Sequence, residues 1–195
     1  TLDGGFIVAG ITASSDDDVV DFHGVVDFWV VKLSASGSIQ WTKAFGGSDD
    51  DRAFAVRQAY DGGYIVAGFI QSTDGDVSGN HGDKDAWVVK LSNSGTIEWQ
   101  KSLGGSGWDE AQSIEPTSDG GYIMAGKTNS NDGDVSGNHN NSLDFWIVKM
   151  TSTGSIEWQK SLGGSDEDSA LSIKQTTEGD YIVTGEAKSI DGDIS

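Results

Sequence analysis

Apolar residues in this chain come in short runs closed off by clusters of glycine, aspartate, asparagine and serine, the pattern of strands joined by turns. One stretch shows the unit. Residues 109–117 alternate weakly and lead into the turn Ser-Asp-Gly-Gly; Tyr-Ile-Met-Ala-Gly follows at 122–126, and then a long acidic loop. A third run, Asp-Phe-Trp-Ile-Val-Lys-Met at 144–150, is joined through Ser152-Thr-Gly154 to a fourth at 155–162, which stops at Gly163-Gly-Ser165. These are strands A, B, C and D. The B and C runs are apolar on both sides rather than alternating, as expected of sheets covered on both faces. A helical reading fails because β-branched and aromatic residues dominate and glycines interrupt every long stretch.

The unit repeats. Asp-Gly-Gly-Phe-Ile-Val-Ala-Gly at 3–10 returns at 61–68, at 119–126 and, in worn form, at 178–185, in steps of 58, 58 and 59 residues. Two tryptophan series, Trp29/Trp87/Trp146 and Trp41/Trp99/Trp158, keep nearly the same step and are expected to pack between units. Residues 1–195 therefore read as one repeat array, with repeats at 3–60, 61–118 and 119–177 and a partial one at 178–195. Four strands in about 40 to 60 residues is the signature of a propeller blade. The expected fold is all-β, a β-propeller of four-stranded antiparallel blades. Residues before Phe45 supply strands B, C and D of one blade, and residues after Asp168 supply A and B of another, so the chain is expected to be a segment of a larger propeller. Open faces would then be capped by further repeats or a second copy.

Composition narrows the possibilities. Glycine at 28 residues against one proline makes glycine the main turn former, and the absence of cysteine rules out disulfides, zinc ribbons and thiol nucleophiles. With 12 basic and 31 acidic residues, the net charge of −19 would repel nucleic acid and suits cations or a cationic partner. No apolar run reaches the ~20 residues of a membrane helix, so no membrane insertion is expected. Strand order puts the B-to-C loops and D-to-A crossovers at one end of the sheets. Those segments hold 22 of the 31 acids, so one face should carry most of the charge.

The B-to-C loop is the candidate for chemistry. Asp74-Gly-Asp-Val-Ser-Gly-Asn-His81 places oxygens at alternate positions (Asp74, Asp76, Ser78), a glycine at the sixth, a carbonyl at Asn80 and an acid at the twelfth, Asp85, the spacing of a loop around Ca2+. The next copy offers Asp132, Asp134, Ser136 and Asn138, with one inserted residue before Asp144. Weaker candidates are Asp16, Asp18 and Asp27 in the first copy, where Val20 and Asp21 replace serine and glycine, and Asp191 and Asp193 in the last. The same residues also suit Asx-turn tips that bind nothing. His23, His81 and His139 share one position in the loop, where solvation or turn bonding is the commoner role. Asp51, Asp109 and Asp168, which follow the Gly-Gly-Ser crossover, are expected to accept backbone amide protons. Trp108 occurs in one crossover alone and could either stack on a sugar or peptide or cover a neighbouring blade.

Together, Asp-Gly-Gly-Tyr-Ile-Met-Ala-Gly, the Asp-Gly-Asp-Val-Ser-Gly-Asn-His loop, Phe-Trp-Ile-Val-Lys and Ile-Glu-Trp-Gln-Lys-Ser-Leu-Gly-Gly-Ser resemble a repeat of secreted β-propeller proteins of the Bacteroidetes, which often carry a type IX sorting domain. The resemblance covers the whole chain and implies a propeller fold and an extracellular or cell-surface location. The loops are also similar to the Asp-x-Asp-x-Asp-Gly loops of integrin-type propeller repeats. Val89-Lys-Leu-Ser-Asn-Ser-Gly95, leading to Trp99, is similar to the tryptophan-docking motif of quinoprotein propellers, which implies a blade-locking tryptophan. The leading expectation is a Ca2+-binding, non-enzymatic binding or adhesion module, with a carbohydrate or protein ligand on the acidic loop face. The alternatives are a structural spacer of a large surface protein and a non-catalytic part of a Ca2+-dependent carbohydrate-active enzyme.

Overall fold

The computed structural model describes residues 1–193; positions 194 and 195 of the partial repeat lie outside the described residues. Thirteen strands form four antiparallel sheets, with no helix among the described residues. The first sheet is β1 (Phe6–Thr12), β2 (Asp27–Leu33) and β3 (Ile39–Phe45), and the second is β4 (Arg52–Gln58), β5 (Tyr64–Ile70), β6 (Asp85–Leu91) and β7 (Ile97–Leu103). The third holds β8 (Asp109–Pro116), β9 (Tyr122–Thr128), β10 (Asp144–Met150) and β11 (Ile156–Leu162), and the fourth pairs β12 (Asp168–Gln175) with β13 (Tyr181–Ala187). Within each sheet consecutive strands are neighbours, so every strand runs back beside the one before it. The expected A, B, C and D strands all form. The sheets contain B, C and D, then two full sets, then A and B.

The sheets stack face to face. Phe28, Val30 and Phe45 of the first meet Tyr64, Val66, Trp87 and Val89 of the second. From the other face of the second sheet, Ile65, Ala67, Ala86 and Val88 meet Ile114, Met124, Trp146 and Val148 of the third. Ile123, Ala125 and Ile147 then meet Ala170 and Ile173 of the fourth. A strand buried on both faces explains why Tyr-Ile-Val-Ala-Gly-Phe-Ile of β5 and Asp-Ala-Trp-Val-Val-Lys-Leu of β6 carry no alternation, since every residue in both is buried. The outermost sheets leave Phe6, Val8, Leu171 and Ile182 exposed.

The two tryptophan series differ. Trp87 and Trp146 are fully buried, whereas Trp41, Trp99 and Trp158 at the last strand of each sheet are only partly covered. Each of the latter meets the first tyrosine of the next sheet edge-on, Trp41 with Tyr64, Trp99 with Tyr122 and Trp158 with Tyr181, at 5.8 to 5.9 Å between ring centres. Trp99 also lies against Gly154, where a Cβ would come 2.8 Å from its ring. These residues therefore join adjacent sheets from the edge of the interface rather than from its centre.

A bulge recurs where the C and D strands pair. Lys90 faces Trp99 but Leu91 faces Ile97, which leaves Glu98 over, and Gln40 and Glu157 occupy the same place in their own sheets. The extra residue turns its side chain back onto the C-strand lysine. Lys90 Nζ donates to Glu98 at 2.8 Å and to the Leu91 carbonyl, and pairs with Asp61 at 2.8 Å. Lys149 repeats this with Glu157, the Met150 carbonyl and Asp119, and Lys32 with Gln40, the Leu33 carbonyl and Asp3. All three lysines are almost fully buried. Burial opposes the charge on Lys90 and Lys149, but their two acids outweigh it, and both pKa values lie above the ordinary one. The second glycine of each Asp-Gly-Gly turn makes room for this, since a Cβ on Gly63 would come 2.6 Å from Lys90 Nζ.

Candidate functional site

At the opposite end of the sheets, the Asp-rich loops of the second, third and fourth sheets each fold over the crossover that enters their own sheet from the preceding one. Asp132 Oδ1 accepts the Ser106 N–H at 2.8 Å, as Asp74 does from Ser48 and Asp191 from Ser165. The Asp134 N–H donates to the Gly104 carbonyl at 2.9 Å, and Asp134 Oδ2 accepts from the Gly104 N–H at 3.3 Å. Asp76 stands in the same relation to Gly46, and Asp193 to Gly163. The spelling follows from these contacts. Gly133, between the two aspartates, has φ +60°, and a Cβ there would come 2.4 Å from the Gly104 carbonyl oxygen. Gly105 must likewise lack a side chain, because its Cβ would reach Asp132 Oδ1 at 2.2 Å. Amide donation by Ser106 and Ser165 holds the Asp132 and Asp191 carboxyls below the usual range.

Beneath the loops lies a second, buried layer of carboxylates. Asp109 is fully buried and accepts from the Gly105 N–H at 2.8 Å, from Ser130 Oγ at 2.8 Å and from Thr128 Oγ1. Asp51 takes the Gly47 N–H and the Ser72 hydroxyl at the same place, and Asp168 takes the Gly164 N–H. The first residue of each C strand, Asp27, Asp85 or Asp144, is also fully buried and caps the loop histidine. His81 gives Asp85 Oδ2 its backbone N–H at 2.9 Å and lies 2.6 Å away through Nδ1, and His139 does the same for Asp144 at 2.8 and 2.7 Å. His23 stands likewise beside Asp27. Gly104 fits between the two acids, since its Cβ would come 2.6 Å from Asp109 and 2.9 Å from Asp85. Burial pushes the Asp27, Asp85 and Asp109 carboxyls above the usual range, and the buried Oδ1 atoms of Asp27 and Asp85 have no hydrogen-bond partner among the described residues. Asp144 raises the pKa of His139.

These contacts decide how the expected cation ligands are disposed. Asp74, Asp132 and Asp191 point to crossover amides, and Asp85 and Asp144 point inward to histidines. Asn80 and Asn138 donate their side-chain amides to carbonyls of their own loops. Ser78 and Ser136 accept from Gln100 and Gln159. In the first copy Asp16 accepts from Ser14 Oγ, and Asp21, at the glycine position, keeps φ +63° and pairs with Lys43. Among the described residues, no three His, Asp or Glu side chains gather around one point as a metal shell would require. In this conformation Asp74, Asp132 and Asp191 each spend one carboxylate oxygen on a crossover amide.

Trp108 is half-buried, and its indole N–H donates to Glu110 at 2.7 Å. The ammonium groups of Lys84 and Lys127 stand over its ring, 4.3 and 4.9 Å from the centre. The ring is thus engaged within the protein. Sequence reasoning missed the buried lysines with their bulge acids, although a lysine recurring within Trp-Val-Val-Lys-Leu was a signal. It also missed that the Asp74, Asp132 and Asp191 loops reach back to the preceding crossover.

No protein-family model matches the chain, and no curated protein does. No helix of the described residues is long and apolar enough to cross a membrane.

Proposed function

We propose that this chain is part of an extracellular β-propeller that acts as a non-catalytic binding scaffold, with the loop face as its ligand surface. The observation that carries this reading is the recurrent loop-to-crossover lock, in which Asp74, Asp132 and Asp191 each accept the serine amide of the crossover entering their own sheet. Such locks order long loops at one end of a stack of antiparallel sheets, which is what a rigid interaction surface needs. Radial stacking is supported at the first strands of neighbouring sheets, which approach closely: the Ile173 N–H donates to Ser113 Oγ, and Arg57 pairs with Glu115. The acidic and hydroxyl-bearing side chains recur in every copy instead of assembling one nucleophile with one base, which favours binding over catalysis. Exposed Phe6, Val8, Leu171 and Ile182 on the outer sheets suit contact with further repeats or a second copy. A Ca2+ titration decides whether the ion adds to these locks.

The test is a binding screen of the immobilised chain against soluble polysaccharides and matrix proteins. Retention should be lost when loop-face residues of both central copies, Asp49, Asp50 and Asp83 with Asn129, Asn131 and Asn141, are changed together to serine, and kept when Ser36, Ser94 and Ser152 of the opposite turns are changed to alanine. Retention that follows the opposite turns, or no retention of any probe, contradicts the reading.

A further inference from the structure

A repeat protein shows its specialised places where it departs from its own repeat, and the departures of the third copy converge in space. Gly107 replaces Asp49 of the second copy, Asn129 replaces Gln71 and Asn131 replaces Thr73. The inserted residue brings Asn140 and Asn141, both left-handed at φ +57°. Ser106, Gly107, Asn129, Ser130, Asn131, Asp132 and Asn141 line an open cavity of about 400 Å3 on the loop face. The corresponding cavity one copy earlier, about 410 Å3, is lined by Val25, Asp49, Asp50, Gln71, Gly82 and Asp83. Three carboxylates there give way to one carboxylate among carboxamides here.

The hydrogen bonds fix which atoms remain free. Asn129 Oδ1 accepts from the Trp108 N–H at 2.6 Å, and Asn131 Oδ1 accepts from the Gly137 N–H at 3.2 Å. Both side-chain NH2 groups are therefore left as donors. Gly107 is required for the first of these contacts, because a Cβ would come 2.3 Å from Asn129 Oδ1. Asp132 holds the Ser106 amide with Oδ1, leaving Oδ2 as an anionic acceptor, and Asn141 is exposed and adds both a donor and an acceptor. The second copy has no such set, since Asp50 is tied to Arg52 and the remaining groups are mostly acceptors.

We infer that this cavity binds the hydroxyls of a carbohydrate, a deepening of the loop-face reading on which it rests. Adjacent hydroxyls satisfy such a set because each can give its proton to a carboxylate oxygen and accept one from a carboxamide. The amide donors that suit a polyol disfavour a bare cation, which would meet two NH2 groups for one free carboxylate oxygen. A neutral ligand also avoids desolvating a second charge beside Asp132. Shallow polar clefts of this size hold one or two sugar rings weakly, with dissociation constants on the order of millimolar.

The experiment titrates the 15N-labelled chain with glucose, galactose, mannose, xylose and cellobiose and follows the side-chain amide resonances of Asn129, Asn131 and Asn141. At least one sugar should give saturable shifts of these resonances. The double variant Asn129→Asp with Asn131→Asp keeps both Oδ1 acceptors for Trp108 and Gly137 and removes the donors, so binding read at the Asn141 amide should weaken by about tenfold or more, while backbone resonances away from the cavity keep their positions. Asn141→Gly, which tolerates the left-handed backbone, is the second probe and should weaken the same sugar. Absence of shifts with every sugar, or shifts unaltered by these variants, overturns the inference. Shifts confined to the cavity around Asp49 and Asp83 overturn it too, but leave the loop-face reading standing; that reading fails only if protein probes also miss this face.

Discussion

The carboxylate of Asp132 accepts the backbone N–H of Ser106 at 2.8 Å, and so ties the long loop of the third sheet to the crossover that arrives from the second. Two other copies make the same bond at the same distance, Asp74 with Ser48 and Asp191 with Ser165. Each joins residues 26 positions apart. An acid in this place satisfies a donor that a glycine-rich crossover cannot pair within a strand.

Below that surface bond, Asp109 should matter far more. Asp109→Ala leaves the Gly105 N–H and the hydroxyls of Thr128 and Ser130 without their buried acceptor, and should cost roughly 3 to 5 kcal/mol in denaturant unfolding. Asp132→Ala removes one exposed acceptor and should cost far less. Similar losses for the two would contradict the two-layer account.

At the other end, Lys90 offers an asymmetric test. Lys90→Met keeps the buried stem and leaves Asp61 and Glu98 to water, so a loss of only about 1 to 2 kcal/mol is expected. Changing both Asp61 and Glu98 to alanine strands a buried ammonium and should cost about 3 kcal/mol or more. Thermal unfolding of the two variants should rank them in that order.

His139 should make stability depend on pH. Its pKa is raised by Asp144, with Asp193 and Asp191 adding to the effect, so its contribution is full below the unfolded value near 6.5 and fades as pH rises through the folded value. The buried acids Asp27, Asp85 and Asp109, also raised, change in the same direction at lower pH. Asp61, Asp119 and Asp132, lowered, act oppositely and lose their contribution only on acidification below about 4. The melting temperature should therefore fall between pH 6 and 8.5, and His139→Asn should flatten that fall. An unchanged slope in the variant would rule out this role.

Trp87 and Trp108 should part company in the same way. Trp87 is fully buried between the first two sheets and meets Phe28 edge-on at 4.8 Å, so Trp87→Ala should cost about 3 to 5 kcal/mol. Trp108→Ala gives up a half-covered ring and its lysine contacts, at a cost of less than about 1.5 kcal/mol.

Much of this was legible in the sequence. The 58-residue step and the double-sided apolar runs placed all thirteen strands and their division among sheets, because repetition multiplies a weak strand signal. Asp51, Asp109 and Asp168 were legible as amide acceptors from their fixed place after Gly-Gly-Ser. The partners of the Asp-rich loops were not. Alternate acids with an intervening glycine suit a cation shell and an amide lock equally well, and the amide partners come from a crossover 26 residues away in sequence. Nor could the pattern reveal Glu98 turning inward, since a bulge shifts the face of one residue without changing the period around it.

The measurement closest to the central claim replaces Asp74 and Asp132 together by asparagine and compares melting temperatures with Ca2+ and with chelator. Asparagine keeps the Oδ1 acceptor for Ser48 and Ser106 but removes the charge a Ca2+ ion needs. If the loops are amide locks, the unaltered chain should melt at the same temperature in millimolar Ca2+ and in chelator, and the variant within a few degrees of it. A melting temperature that rises steeply with Ca2+ in the unaltered chain, and no longer does so in the variant, would contradict the lock and make the loops cation sites.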